Sequence, residues 1–189
     1  MVKALKIKIE FVAVCLSVLF LFGCSSQLPA TAKFKSNFDF STIESYSTYP
    51  RNSTFGESQN ISYGIRNNIE IAIEQGFDNK GLTYQSNEKA DVIIGYHLIQ
   101  SIADFKKYNQ GVKYCDPCLH SGLAVNDKKS WQLLPGSLVL DVVDQKDKRS
   151  VWRSVYPLKI KPKDNSQEVQ EKIQQAIAYM MKTIPLDLS

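Results

Sequence analysis

Apolar side chains repeat at helical spacing in two parts of the chain. The two stripes consist of Ile61, Ile65, Ile69, Ala72 and Ile73, and of Val169, Ile173, Ala176, Ile177 and Met180. Positions three and four residues apart lie on one face of a helix, so each stripe predicts an amphipathic helix. Asn165 and Glu168 precede the second stripe at the spacing of a capping box, which favours a helix start there. Pro185 favours the end of that helix.

Other parts of the chain are rich in β-branched and aromatic residues, which favour strands. The predicted strands lie near Phe38–Phe40 and at residues 46–49, 82–85, 90–102, 137–144 and 150–156. The last two should form a hairpin, with Trp152 on one face and Val151 and Val155 on the other. The element order predicts an α+β fold of two layers: a four- to five-stranded, mostly antiparallel sheet and two amphipathic helices on one of its faces.

Residues 103–135 show no clear periodicity and are predicted to form a long loop, which in a compact domain is often functional. Basic and aromatic residues alternate in the segments Phe105–Tyr108 and Lys113–Tyr114. In an exported protein such a pattern could contact anionic lipid, glycan or a partner protein, although a solvated loop is the simpler interpretation. We therefore consider residues 103–135 a candidate contact surface.

The first 23 residues have the three zones of an export signal. Lysines at positions 3, 6 and 8 form a positive head, residues 11–22 are almost entirely apolar, and Gly23 precedes Cys24. This order is that of a secretory signal peptide, and the apolar segment is shorter than the roughly 20 residues of a transmembrane helix. We predict that residues 1–23 are removed.

The sequence Leu21-Phe22-Gly23-Cys24 resembles a lipobox, the signal for lipid attachment to a cysteine. The resemblance implies a diacylglycerol on the thiol of Cys24 and an acyl chain on its amine, and two or more chains anchor a protein stably. An ordinary signal peptide with an incidental cysteine is the alternative. The serines after Cys24 resemble those of lipoproteins sent to the outer membrane.

Residues 24–37 should then be the lipidated cysteine and a flexible tether. Residues 38–189 should form a single domain.

Charge excludes one class of partner. The full chain has 23 basic and 19 acidic residues, a near balance without the concentrated basic face that nucleic acids require. Export argues further against nucleic acid. The expected partners are the membrane, through the lipid anchor, and an envelope protein or component that the sequence does not identify.

Four stretches of the chain carry a resemblance to a known family. They are Phe38–Phe40 with Tyr46–Tyr49, Gly81–Leu82 with Ala90–Tyr96, Gly136–Asp144, and Val151–Arg153. In order and spacing they resemble the periplasmic lipoprotein family catalogued as domain of unknown function 4136, over about residues 38–184. The resemblance implies the fold and an envelope location, and it supplies no catalytic residue.

The segment Tyr114-Cys115-Asp116-Pro117-Cys118 holds the two cysteines that remain after Cys24. An even pair in an oxidising compartment predicts a disulfide between Cys115 and Cys118, which would close a short loop and stabilise it little. The pattern also resembles a thioredoxin-type redox site, but no helical stripe follows it. Zinc binding by Cys115, Cys118 and His120 is a further alternative, one ligand short of a closed structural site.

Asp141 and Asp144 are the candidates for a pair of catalytic carboxylates. Three positions apart on a strand, they point to opposite faces. We expect Asp144 to start the hairpin turn and Asp141 to face solvent or a neighbouring strand. The two histidines, His97 and His120, lie in no recognisable nucleophile motif, so we predict no catalytic residue, no metal and no cofactor besides the lipid on Cys24.

These features together predict a membrane-anchored envelope lipoprotein that faces the periplasm from the outer membrane. We expect it to be a non-enzymatic binding or structural module. The alternative is a thiol-redox or metal-handling protein, with thiol–disulfide exchange as its activity, that uses Cys115 and Cys118.

Overall fold

The computed structural model of the protein describes residues 31–57, 61–121 and 135–186. The predicted export segment 1–23, Cys24 and the first residues of the predicted tether lie outside these ranges. Residues 122–134 of the predicted loop 103–135 also lie outside them.

One mixed sheet of seven strands runs through the part of the chain that the structure describes. Its strands are β1 (Thr31–Phe34), β2 (Ser45–Thr48), β3 (Thr83–Tyr84), β4 (Val92–Leu98), β5 (His120–Ser121), β6 (Ser137–Asp144) and β7 (Arg149–Pro157). Across the sheet they follow the order β3-β2-β4-β6-β7-β1-β5. β2 is parallel to both of its neighbours, and the other neighbouring strands pair antiparallel.

Helices cover both faces of this sheet. They are α1 (Thr54–Glu57), α2 (Tyr63–Asp78), α3 (Ile102–Gly111) and α4 (Ser166–Met181), and two 3-10 helices span Phe40–Thr42 and Asp116–Cys118. α2 and α4 pack against each other on one face, and α3 packs on the opposite face. Within the described ranges, every helix is too short or too polar to span a membrane.

β4 lies in the middle of the sheet and is buried on both of its faces, as its apolar sequence predicts. Its residues Val92 to His97 are all buried. Ile94 belongs to the core beneath α2 and α4, and its neighbour Ile93 belongs to the core beneath α3. Successive side chains of a strand point to opposite faces, so β4 connects the two cores.

The start of α4 confirms the predicted capping box. Asn165 Oδ1 accepts a hydrogen bond of 3.0 Å from the backbone N–H of Glu168, and Glu168 Oε2 accepts one of 2.8 Å from the backbone N–H of Asn165. An N-terminal cap of this kind stabilises a helix by about 1 kcal/mol. The apolar stripes of α2 and α4 meet in one core, as both stripes predict.

The sheet is wider than the four to five strands that the sequence predicts. Residues Thr31–Phe34 lie within the predicted flexible tether 24–37, yet they form β1 and pair with β7. β5 lies within the predicted loop 103–135 and pairs with β1 at the edge. Polar and apolar residues alternate in β1, but over only four residues, and β5 has two residues. Both strands are therefore too short for a sequence signal, and partners distant in sequence hold them in the sheet. Phe40, expected near a strand, instead starts a 3-10 helix capped by Asp39.

α3 also corrects the prediction that residues 103–135 form a loop. Phe105, Tyr108 and Val112 are buried and are spaced as one face of a helix, but charged and amide residues between them obscure the stripe. Because α3 covers the face opposite α2 and α4, the predicted two-layer arrangement is incomplete. α3 adds a partial third layer, and the polar side chains described next lie beneath it.

Candidate functional site

A group of buried polar side chains lies between the sheet and α3. Its members, called here the buried cluster, are His97 on β4, Tyr108 on α3, Asp141 on β6, and Ser150 and Arg153 on β7. Each is at most 3% exposed. Charged side chains are almost never fully buried unless they are paired, so the partners of Asp141 and Arg153 determine what the cluster does.

Asp141 and Arg153 form a bidentate ion pair. Arg153 Nε donates to Asp141 Oδ1 at 2.9 Å, and Arg153 Nη2 donates to Asp141 Oδ2 at 2.9 Å. Asp141 also accepts hydrogen bonds from Tyr108 Oη at 2.7 Å and from Ser150 Oγ at 2.5 Å. Arg153 Nη1 donates to Asn109 Oδ1 at 2.7 Å. The two charges therefore neutralise each other in the core, with their remaining hydrogen-bonding groups satisfied by side chains.

Aromatic rings enclose the guanidinium group of Arg153. Its Cζ atom lies 3.5 Å from the centre of the Tyr114 ring and 5.4 Å from the centre of the Phe105 ring. Such contacts add cation–π attraction and exclude water. Because Arg153 is 1% exposed and Asp141 is 0% exposed, a substrate would reach the ion pair only if α3 or Tyr114 moved away.

The pKa values in the cluster follow from burial and from the ion pair. Burial acts to lower the pKa of Arg153, but the charge and hydrogen bonds of Asp141 more than offset it and raise that pKa above its ordinary value. Burial, followed by the charge of Asp141, raises the pKa of Tyr108 well above its ordinary value. The same two causes raise the pKa of Tyr49 to about 12. Both phenols therefore remain protonated near neutral pH.

His97 packs beneath Tyr108, with the two ring centres 4.9 Å apart. Neither of its ring nitrogens has a hydrogen-bond partner among the described residues. Burial lowers the pKa of His97 to about 4; Arg153 acts in the same direction, whereas the carboxylates of Asp104 and Asp141 oppose it. His97 is therefore neutral at physiological pH and is far from the pKa of an effective general base.

This pKa predicts a pH dependence of stability. As pH falls below about 6.5, His97 takes up a proton in the unfolded chain but stays neutral in the folded protein until about pH 4. The free energy of unfolding therefore falls across this window, by on the order of 3 kcal/mol.

Urea denaturation at pH 7 and at pH 4 measures this fall in the free energy of unfolding. The fall is expected to be smaller in His97→Phe than in the wild type, because the variant has no imidazole to protonate. The exposed His120 provides the control His120→Gln, and an unchanged pH dependence in His97→Phe would contradict the prediction.

Gly95 allows α3 to approach the sheet closely enough to complete the cluster. It lies opposite Asp141 in the register of β4 and β6. A Cβ atom at this position would lie 3.0 Å from Tyr108 Oη and 3.2 Å from Val112 Cγ1. A glycine in a strand often marks such a close approach, and here it lets Tyr108 reach the carboxylate.

A β-bulge between β6 and β7 sets the partner of Asp141. Next to the hairpin turn Val143 faces Ser150, but Val142 faces Trp152, so Val151 is an extra residue on β7. The bulge places Val151 and Trp152 together in the core beneath α2 and α4. The predicted placement of these two side chains on opposite faces is therefore wrong, and the shifted register brings Arg153 opposite Asp141.

Cys115 and Cys118 lie at disulfide distance just after α3, with their Cα atoms 5.2 Å apart, within the usual range for a disulfide. Between them, Asp116 accepts hydrogen bonds from Lys33 Nζ at 2.6 Å and from Tyr114 Oη at 2.7 Å. The bond from Lys33, and then that from Tyr114, lowers the pKa of Asp116. The turn therefore ties β1 to the ring that covers the ion pair.

The surroundings of the two cysteines differ from those of a thioredoxin-type site. β5 follows them directly, where such a site would have an amphipathic helix. His120, the third candidate zinc ligand, lies on β5 opposite Phe34 of β1. Among the residues that the structure describes, no three His, Cys, Asp or Glu side chains are grouped so that they could hold a metal ion.

Two adjoining clefts open near β3, at the other edge of the sheet. Their volumes are about 210 Å³ and 290 Å³, and both are lined by Thr48, Glu70 and Tyr84. Glu70 forms an ion pair with Arg51 and accepts a hydrogen bond from Tyr96. The carboxylate shared by the two clefts is therefore already engaged by residues of the protein.

The two aspartates singled out in the sequence have different environments. Asp144 Oδ1 accepts a hydrogen bond of 3.1 Å from the backbone of Lys146 in the hairpin turn, as expected. The sequence predicts that Asp141 faces either solvent or a neighbouring strand. It faces the neighbouring strand β7, where it pairs with Arg153. Arg153 and Tyr108 are not among the site residues that the sequence predicts. A charged residue in the middle of each of two mostly apolar strands is the signal that could have revealed the pair.

The described fold is an α+β domain with a mixed sheet and helices on both faces. The chain belongs to the family named domain of unknown function DUF4136, whose model matches residues 30–186. No curated protein matches the chain.

Three solved structures can be compared with the chain. A DUF4136 family protein from Bacteroides thetaiotaomicron has a TM-score of 0.50 and 15% identity, covering 82% of this chain and 98% of that one. A PDZ domain protein from Parabacteroides distasonis has a TM-score of 0.46 and 16% identity, covering 83% of this chain and 35% of its own. A PelC dodecamer from Paraburkholderia phytofirmans has a TM-score of 0.33 and 8% identity, covering 80% of this chain and 95% of that one. The first likeness concerns the fold alone.

Proposed function

We propose that this protein is a lipid-anchored envelope protein whose domain faces the periplasm from the outer membrane as a non-enzymatic binding or structural module. The observation that carries the proposal is the N-terminal sequence, in which an export segment ends directly at Cys24 in a lipobox-like pattern. The family match begins at residue 30. A lipid on Cys24 would therefore lie immediately before the family domain.

The burial of the charged groups supports a module without catalysis. Asp141, Arg153 and Tyr108 are 0–2% exposed, and Asp141 accepts hydrogen bonds from both of the others. Their evident contribution is to hold α3 on the sheet. The pair Cys115 and Cys118 supports a location outside the cytoplasm, because disulfides persist in oxidising compartments.

Replacing Cys24 tests the anchor. Cells expressing the full chain are grown with an alkyne analogue of palmitate, and the protein is isolated from separated inner and outer membranes. The wild type is expected to carry the label in the outer membrane, and Cys24→Ser is expected to lose it because the thiol that accepts diacylglycerol is gone. Cys118→Ser is the matched control and should keep the label. An unlabelled wild type, or a labelled Cys24→Ser, would refute the anchor.

The same purified wild type separates the binding or structural module from the thiol-redox or metal-handling alternative. In the proposed function, Cys115 and Cys118 are oxidised, free of metal and resistant to reduction until below about −300 mV, as structural disulfides usually are. A pair that titrates at a more oxidising potential, or that holds zinc stoichiometrically, would favour the alternative.

A further inference from the structure

One end of the domain combines exposed apolar side chains with lysines. It is called here the anchor end, and it is the end of the sheet at which β1 begins, β4 and β7 finish, and β6 begins. We propose that the anchor end rests on the bilayer, against anionic lipid headgroups. This inference rests on the lipid anchor proposed for Cys24 and adds the orientation of the domain.

The short connection between Cys24 and β1 restricts where the domain can lie. Thr31, the first residue of β1, is seven residues after Cys24. At about 3.3–3.6 Å per residue, even a fully extended chain spans at most about 25 Å over that distance. A lipid on Cys24 therefore keeps the start of β1 close to the membrane surface.

The register of the strands shows which elements share this end with β1. Thr31 pairs with Val155, Val155 with Val139, and Val139 with His97 near the end of β4. α3 starts four residues after β4 finishes, so Ile102 lies at the anchor end.

α2 also begins at the anchor end. β2 runs parallel to β4 and so finishes at this end. α2 leads from β2 to β3, which is parallel to β2 and starts at the opposite end. A helix in such a connection runs back across the sheet, which places its first residue, Tyr63, at the anchor end.

The two most exposed large apolar side chains of the described residues lie at this one end. Ile102 and Tyr63 are each 77% exposed, compared with 57% for Tyr84 and 45% for Ile71. Exposed apolar side chains scattered singly are ordinary on a protein surface. Here the two are the first residues of α3 and α2, on the side that the tether would hold near the bilayer.

Exposed lysines also lie at the anchor end. Lys106 follows Ile102 by one helical turn and is exposed, and Lys159, Lys161 and Lys163 are exposed in the segment that leaves β7 at the anchor end. Basic segments beside a membrane anchor are attracted to anionic lipids. The lysines therefore favour the same partner as the apolar residues.

Three carboxylates at this end are engaged in local hydrogen bonds. Asp104 accepts one from Ser101, Glu168 belongs to the capping box of α4, and Asp164 pairs with Lys172. The four exposed lysines named above outnumber these three carboxylates, and Asp164 is already neutralised by a further lysine, Lys172. The lysines therefore remain available to anionic headgroups.

Tryptophan probes in the lipidated protein test this orientation. The mature protein is reconstituted in vesicles of phosphatidylethanolamine and phosphatidylglycerol that carry bromine on the acyl chains, which quench nearby tryptophan. The emission that Ile102→Trp and Tyr63→Trp add to that of the wild type is expected to be quenched. Tyr84→Trp is the matched control, because Tyr84 is an exposed aromatic residue at the opposite end of the sheet, and its added emission should be retained.

Flotation with the vesicles is measured before quenching. A wild-type protein that does not float lacks the anchor, which refutes the proposed function together with this inference. A protein that floats but lacks quenching at either Ile102→Trp or Tyr63→Trp, or is quenched equally at Tyr84→Trp, overturns the orientation alone. Vesicles without phosphatidylglycerol are expected to give less quenching, and equal quenching would overturn the role of the lysines.

Discussion

Replacement of Asp141 by alanine is expected to lower the free energy of unfolding by about 3–5 kcal/mol, the usual cost of removing one partner of a buried ion pair. Arg153 would lose its bidentate partner and remain charged in the core, where it is 1% exposed. Tyr108 and Ser150 would each lose a hydrogen-bond acceptor as well. Urea denaturation followed by circular dichroism measures the loss.

Two further variants identify the cause of this destabilisation. Asp147→Ala removes an aspartate whose side chain is 60% exposed and lies 3.9 Å from Lys35, and it should cost at most about 1 kcal/mol. The double variant Asp141→Leu with Arg153→Met should regain part of the stability lost in Asp141→Ala, because apolar side chains of similar volume often replace a buried ion pair at little cost. A loss in Asp141→Ala no larger than that in Asp147→Ala would contradict the role of the pair.

Replacement of Trp152 by alanine should have a comparable effect, lowering the free energy of unfolding by about 3–5 kcal/mol. Trp152 is 0% exposed in the core beneath α2 and α4, and its Nε1 donates a hydrogen bond of 3.1 Å to the backbone carbonyl of Thr183, just after α4. The variant would leave a large cavity and an unpaired carbonyl. Urea denaturation followed by circular dichroism again provides the measurement.

Trp152→Phe separates the packing of the ring from the hydrogen bond and is expected to cost less than Trp152→Ala. Ile71→Ala is the control for removing an apolar side chain at a partly exposed position, because Ile71 is 45% exposed. A similar loss in the free energy of unfolding in Ile71→Ala and Trp152→Ala would contradict the prediction that the buried ring of Trp152 contributes strongly to stability.

The elements predicted correctly from the sequence are those whose signal is local. α4 has both an apolar stripe and a capping box, and the hairpin of β6 and β7 has two apolar strands around a polar turn. β1 and β5 could not be predicted in this way. They are held by pairing with strands far along the chain. A pattern of four residues in β1 or of two residues in β5 is too short to predict a strand.

The buried cluster depends on a feature that pattern analysis does not supply. Without the bulge, the register next to the hairpin turn would place Trp152 opposite Asp141. The extra residue Val151 moves Arg153 into that position. Bulges depend on how both faces of the hairpin pack. The sequence does not indicate α3 on one of these faces, because residues 103–111, within the predicted loop 103–135, show no clear periodicity.

The contacts of the turn between Cys115 and Cys118 could not be predicted from the sequence. Lys33 and Asp116 are 83 positions apart, and the position of β1 between β7 and β5 brings them together. The disulfide itself is a local feature, since three positions separate Cys115 and Cys118. The pair could therefore be predicted from the sequence, whereas its link to β1 and to the ring of Tyr114 could not.

The most direct test of the proposed anchor is mass spectrometry of the N-terminal peptide of the protein isolated from membranes. We expect a peptide that begins at Cys24 and carries diacylglycerol on the thiol and an acyl chain on the amine. A mature protein that begins elsewhere, or an N-terminal Cys24 without lipid, would contradict the proposal that this DUF4136 family protein is a lipoprotein.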